Sequence, residues 1–323
     1  MDWKDKFLKL YMSTNEDDVQ QAINLKEENI PRHLYRYRSA SEAKFVQSEL
    51  LGQIYMPHIS ELNDPFDSCA LLSNENINYY FVDRGFRQRI ETIIGKKIPD
   101  DALRRDNLRE DILKYALSHI GCADRDIVEK LKKYHDENQK SIEDSNKYFN
   151  AIIKRDYRLC CFSESAYNLP MWSHYANNHS GICLQYDTLR FRYNDSLRKR
   201  LFPVFYTEKL PDALEIIKNF NFDNLPKTLF ERILISKLKD WEYEREWRLI
   251  LDCRKIISEN EKVSDDYWNT GKIEWLAKPS KVYLGVKINQ EMKSLIVDIC
   301  RRLDISVYQM ECTEYGLKEV LTK

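Results

Sequence analysis

Trp241-Glu242-Tyr243-Glu244-Arg245-Glu246-Trp247-Arg248, running into the apolar Leu249-Ile250-Leu251, is the stretch around which this chain is organised. Aromatic and long apolar residues without Gly or Pro predict a strand. Side chains alternate between faces along a strand. Glu244, Glu246 and Arg248 then share one face, and Tyr243, Arg245, Trp247 and Leu249 the other. Two neighbouring carboxylates on one face repel each other unless a positive group sits between them. The stretch therefore predicts a polar pocket carried on a strand rather than a plain core strand.

Working outward, residues 226–239 and 210–219 read as helices leading into it, preceded by strands at 204–206, 181–186 and 158–163. A short helix at 170–175 carries Pro170 in its first turn, where the missing N–H costs nothing. Nearer the N-terminus, His33–Arg38 reads as a strand with Arg36 and Arg38 on one face and Tyr35 and Tyr37 on the other. A helix over 41–50 follows, with Ser39 as its N-cap and Gly52 closing it, then a strand at 53–56. Asn63-Asp64-Pro65 carries turn chemistry. Downstream come a strand at 281–285, a helix over 289–303 and a last strand at 305–310.

Residues 1–32 form a helical cap, with Trp3, Phe7, Leu8 and Tyr11 on one face and a second helix starting at Asn15-Glu16-Asp17-Asp18. Residues 72–155 read as a charged helical insertion with apolar sets around Phe86 and Ile90, Ile112 and Ala116, and Ile127 and Leu131. The basic spot at Lys132, Lys133, His135 and Lys140 reads as a solvated helix face. Short strands interrupted by helices without regular βαβ alternation predict an α+β fold with a mixed, mainly antiparallel sheet. It occupies 33–323 as one domain broken by the insertion.

Composition narrows the function. With 51 basic and 52 acidic residues, the net charge of -1 gives no global attraction to nucleic acid or an anionic membrane. The eight Cys include no CxxC pair, which removes a zinc-ribbon reading and favours reduced thiols in a cytosolic protein. The eight Gly are isolated, with no GxGxxG or P-loop spacing. The charged N-terminus is unlike a signal peptide, and no apolar run is long enough to cross a membrane.

Four segments are polar and aromatic where a core would be apolar: Tyr35–Arg38, Asn63–Asp67, Ser163–Glu164 with Met171–Tyr175 and His179, and Glu244–Arg248. Their strings, LYRYRS, LNDPFD, CFSES with MWSHYANNHSGICLQYD, and WEYEREWRL, resemble the landmarks of a bacterial family, domain of unknown function 2971, from about residue 33 to about 286. Its members resemble components of phage-defence and abortive-infection systems. More distantly, the order of an early Arg, a strand-end Ser and a late Glu-x-Glu resembles ADP-ribosyltransferases, whose split sheet binds NAD without a Gly-rich loop. Here the middle strand reads Phe-Ser-Glu instead of the usual Ser-Thr-Ser.

That resemblance implies NAD as co-substrate, with Glu246, Glu244 and Ser163 catalytic. Arg36 or Arg38 would take the pyrophosphate, and Tyr37 or Trp172 would stack on a ring. His174 and Asn63 complete the implied binding set. The acceptor, protein or nucleic acid, is open. Other readings stand beside it. Glu244, Glu246 and Arg248 can be an ion-pair ladder with countercharge from Arg36 or Arg38, in a non-catalytic sensor or interaction module. Asp64, His174 and His179 can serve a metal-dependent nuclease. Trp172, Tyr175 and Met171 can be core.

Overall fold

The computed structural model describes residues 2–68, 86–103, 108–119, 150–211, 227–255 and 270–322, with Lys133, Lys147 and Tyr267. The chain divides into two compact units: Met1–Ser68, Ile153–Leu210 and Lys227–Lys323 form one, and Cys69–Ile152 with Pro211–Pro226 the other.

The larger unit is built on an eight-stranded sheet. In chain order the strands of this unit are β1 (His33–Arg38), β2 (Gln53–Met56), β3 (Tyr157–Ser163), β4 (Ile182–Asp187), β5 (Leu201–Pro203), β6 (Phe205–Thr207), β7 (Ser236–Leu238), β8 (Glu246–Asp252), β9 (Lys272–Trp275), β10 (Lys281–Leu284), β11 (Ser306–Thr313) and β12 (Gly316–Leu321). The main sheet runs β12-β11-β10-β4-β1-β3-β8-β5. Every pairing in it is antiparallel except β10 with β11, which the crossover helix Gln290–Leu303 joins. The fold is thus α+β with a mainly antiparallel sheet. β2 pairs with β9, and β6 with β7, in two small separate sheets.

Alternation sorts the sheet into two faces. Leu34, Phe162, Leu184, Trp247 and Leu249 pack on one face with Val46 and Leu50 of the helix Ala43–Leu50 and Ile296 and Cys300 of the helix Gln290–Leu303. On the opposite face Tyr37, Cys183 and Tyr283 pack against Met171 and Trp172 of the helix Leu169–Tyr175. The N-terminal helix Trp3–Tyr11 lays Phe7 and Tyr11 beside Phe205 and Phe202. The helix Glu16–Asn29 starts where expected, with Asn15 accepting from the Asp17 N–H.

Several local expectations give way. The helix expected to 239 stops at Leu234, and Ser236–Leu238 is a strand. The strand expected from 241 begins at Glu246; Lys239–Glu244 is a 3-10 turn, and Arg245 takes φ 46°. Ser163 Oγ donates to the Glu244 carbonyl at 2.7 Å, which fixes the turn that regular alternation would have extended. The helix after β1 begins at Ala43, and its N-cap position is Glu42 rather than Ser39.

In the smaller unit, the helices Arg87–Ile94 and Leu108–His119 bury Phe86, Ile90, Ile98, Leu108, Ile112 and Ala116 together. Gly95, at φ 65°, ends the first of them. The apolar set at Ile127 and Leu131, the basic spot at 132–140 apart from the single described Lys133, and the expected helix at 210–219 beyond Pro211 lie outside the described residues.

Candidate functional site

β1 and β3 meet in register at a single pair, Tyr35 with Ser163. Beyond it no further pair is made, and the chain after β2 bridges to β3 instead, at His58 with Arg158. A cavity of about 710 Å³ lies where the strands part. Residues of both sheet faces border it, Arg36 and Arg38 from one and Cys161, Glu244 and Glu246 from the other.

The carboxylate wall is a buried ion cluster. Ser163 pairs with Glu246 and Cys161 with Arg248, so these four share the face of Tyr35. Arg248, fully buried, donates to Glu246 Oε1 at 2.7 Å and to both Asp67 oxygens at 2.7 Å. Its Nη1 also reaches the Leu234 carbonyl at 2.6 Å. Lys237, from β7, donates to Glu244 Oε2 at 2.6 Å and Glu246 Oε2 at 3.1 Å, and lies 3.3 Å from Asp67. It is the positive group that two adjacent carboxylates require. Neither Arg36 nor Arg38 plays that part.

Three carboxylates here share two cations, so one is held least firmly. Burial first, then the charge of Glu246, pushes the Glu244 carboxyl up to about 7. Burial would also raise Glu246, but Arg248 and then Lys237 reverse it and hold that carboxyl well below the usual range. Two glutamates two positions apart are thereby driven in opposite directions, the pattern that separates an acid–base group from a permanent anion. The remaining Glu244 oxygen, Oε1, accepts from the Tyr175 hydroxyl at 2.6 Å, and that hydroxyl accepts from Asn63 Nδ2 at 3.2 Å.

The opposite wall carries the guanidiniums, and the Glu61 carboxylate, bonded to the Tyr55 hydroxyl, also borders the cavity. Arg36 and Arg38 lie under the helix Ala43–Leu50, with Glu49 Oε1 at 3.4 Å and 2.8 Å. Two guanidiniums share one carboxylate. Arg36 is buried and also donates to the Tyr55 carbonyl at 3.0 Å, while the Arg38 side chain is 37% exposed.

The other expected site residues have structural duties. Ser163 is buried and donates to the Glu244 carbonyl. Trp172 is fully buried, donates to the Ala166 carbonyl at 2.8 Å and meets Tyr37 edge-on at 5.3 Å. Tyr37 donates to the Ser165 carbonyl at 2.8 Å. His174 is exposed beside Trp241 and Tyr243, and His179 contacts Ser173 at 3.1 Å. Among the described residues no group of three or more His, Cys, Asp or Glu side chains could hold a metal ion. Asp64 Oδ1 instead accepts from the Phe66 N–H at 2.9 Å, closing the expected turn. The six described cysteines are free thiols.

Lys237 and Tyr175 are the residues that sequence reasoning undervalued. A lysine between Ile233-Leu234-Ile235 and Leu238 was the available signal, since a charge in so apolar a run needs a buried partner.

Residues 171–249, from the helix bearing Tyr175 through Arg248, match the family described as Protein of unknown function (DUF2971). Over this segment, about a quarter of the chain, the protein is similar to that family. The matched segment contains Tyr175, Lys237, Glu244, Glu246 and Arg248, so the family match covers most of the carboxylate wall. No curated protein and no solved structure matches the chain, and the ADP-ribosyltransferase resemblance gains no support from these comparisons. Among the described residues no helix is long and apolar enough to cross a membrane.

Proposed function

We propose that the cleft between β1 and β3 binds a dinucleotide of the NAD class and acts on its nicotinamide–ribose bond, with Glu244 as the acid–base group. The placement of guanidiniums on one wall and a carboxylate cluster on the other carries this reading. The part-exposed Arg38 guanidinium suits a pyrophosphate, and three carboxylates sharing two cations suit a cationic nicotinamide ring and the oxocarbenium-like charge that grows as the bond breaks. The cavity volume falls within the usual range for small-molecule sites, roughly 300–1,000 Å³. Glu246, held by two cations, serves as a fixed anion in this reading, and Ser163 positions Glu244. The reaction is NAD cleavage or ADP-ribosyl transfer, in the bacterial defence or toxin setting that the family resemblance implies.

The test is nicotinamide release from NAD⁺ by the purified protein beside Glu244→Gln. Release that the variant loses supports the reading. No release, and no NAD⁺-dependent rise in melting temperature, overturns it.

One observation favours a second reading, a non-catalytic interaction module. Asp67, Glu246, Lys237 and Arg248 satisfy one another within the fold. Such a cluster can specify a fold without doing chemistry.

A further inference from the structure

Both Glu244 oxygens are already engaged within the fold. Oε2 is taken by Lys237 and Oε1 by Tyr175, and the residue is only 2% exposed. Tyr175 is half-buried and borders the cavity. Its hydroxyl gives its one proton to Glu244 and accepts from Asn63, which leaves a second lone pair. We propose that Tyr175 is the group that meets a ligand or water in the cavity, and that Glu244 exchanges protons only through it.

The step balances without another reactant. A ligand hydroxyl or water passes its proton to Tyr175 Oη as the Tyr175 proton passes to Glu244 Oε1, and the oxygen that lost the proton bonds to the ribose carbon while nicotinamide leaves with the electron pair of the broken bond. Tyr175 is neutral before and after; Glu244 changes from carboxylate to acid, and the reverse transfer restores it. Asn63 Nδ2 steadies the phenolic oxygen during the transfer. The charged groups facing this pair are Lys237 from β7, Glu246 and Arg248 from β8, and Asp67 from the turn after Asn63. Arg248 and Lys237 hold the Glu246 carboxyl low, and Glu244, bonded to the Tyr175 hydroxyl, is the carboxyl in line with the relay. The proposal rests on the acid–base reading of Glu244, and Tyr175 lies outside the set of residues expected from the resemblance.

The test is infrared titration of the Glu244 carboxyl in the full chain, identified by its loss in Glu244→Gln. The band is followed at equilibrium and after a rapid jump from a pH of about 9 to about 5, which brackets the raised value of about 7 and stays above the ordinary carboxyl value. In Tyr175→Phe the midpoint rises, because the carboxylate loses a hydrogen bond, and the band grows several-fold more slowly than in the wild type. Growth at the wild-type rate overturns the relay. Tyr175→3-fluorotyrosine keeps ring and hydroxyl but makes the phenol more acidic, so it covers the case in which Phe disturbs the fold. Faster growth is expected there, and an unchanged rate overturns the proposal.

With NAD⁺, Tyr175→Phe lowers kcat by about 100-fold with KM little changed. Nicotinamide release that survives in Tyr175→Phe overturns the relay and leaves the NAD reading standing. No release by the wild type overturns the NAD reading, and the infrared rates still judge the relay.

Discussion

Tyr35 and Ser163 form the single in-register pair between β1 and β3 among the described residues. β1 pairs with β4 along its whole length, and β3 with β8 along its whole length. The interior seam between β1 and β3 is left open beyond that one pair. A gap in the middle of a sheet exposes edges of two strands to a cavity, which is how Arg38 and Glu244 come to border one space from opposite faces.

Arg248 holds Glu246 and Asp67 with no access to solvent. Removing one member of a buried ion cluster strands the others. Arg248→Ala should cost about 3–5 kcal/mol in urea unfolding. Arg301→Ala, which breaks an exposed pair with Asp298, should cost less than about 1 kcal/mol. Equal costs would remove the cluster from the stability argument.

Glu244 should make stability fall with rising pH. Its carboxyl lies above its ordinary value of 4.5, at about 7 in the fold. Between those values the folded protein keeps a proton that the unfolded chain has lost, so this contribution is full below the window and gone above it. Glu246, held low, acts the other way and loses its contribution as pH falls through its depressed value. Melting temperature against pH should therefore decline from about 5 to about 7.5, and Glu244→Gln should flatten that limb. An identical slope in the variant would refute the assignment.

Gly181 is needed for space. A Cβ there would lie 2.2 Å from the Arg38 carbonyl oxygen and 2.9 Å from that of Ala176, both backbone atoms. Gly181→Ala must push β4 away from the end of β1, at a cost of about 1–3 kcal/mol or more. Chemical denaturation measures it. The same shift moves Arg38, so any affinity for pyrophosphate should drop with it.

Arg38 should bind anions without holding the fold. Its side chain is part-exposed, and Glu49 keeps Arg36 when it is removed. Arg38→Ala should weaken pyrophosphate binding by about tenfold or more, the worth of one charge-assisted hydrogen bond. Calorimetric titration with pyrophosphate reads this, and melting temperature should change little. Unchanged affinity would take the cationic wall out of the site.

Much of the fold was legible from local pattern. β1, β3, β4, β10 and the helix Gln290–Leu303 stand within a residue or two of expectation, because each shows a clear local pattern, reinforced in the helix by the Asn289 cap. β5, β9 and β12 were missed; β5 has only three residues and β9 four, too short to show a period. Lys237 was hidden because residues 226–239 carry a helical period that the chain abandons after Leu234.

By itself, the sequence determined the α+β class, the mainly antiparallel sheet, the arginine pair on one face of β1 and the demand for a cation between Glu244 and Glu246. Those follow from residue spacing and the repulsion of like charges, which act over a few neighbours. Only the tertiary structure decided which cation answers that demand, that Arg36 and Arg38 turn to Glu49 on the other face, and that β1 and β3 separate after Tyr35 and Ser163. Burial and long-range pairing set those outcomes. A charge taken out of water finds its nearest partner in space, and sequence distance places no limit on which residue that is.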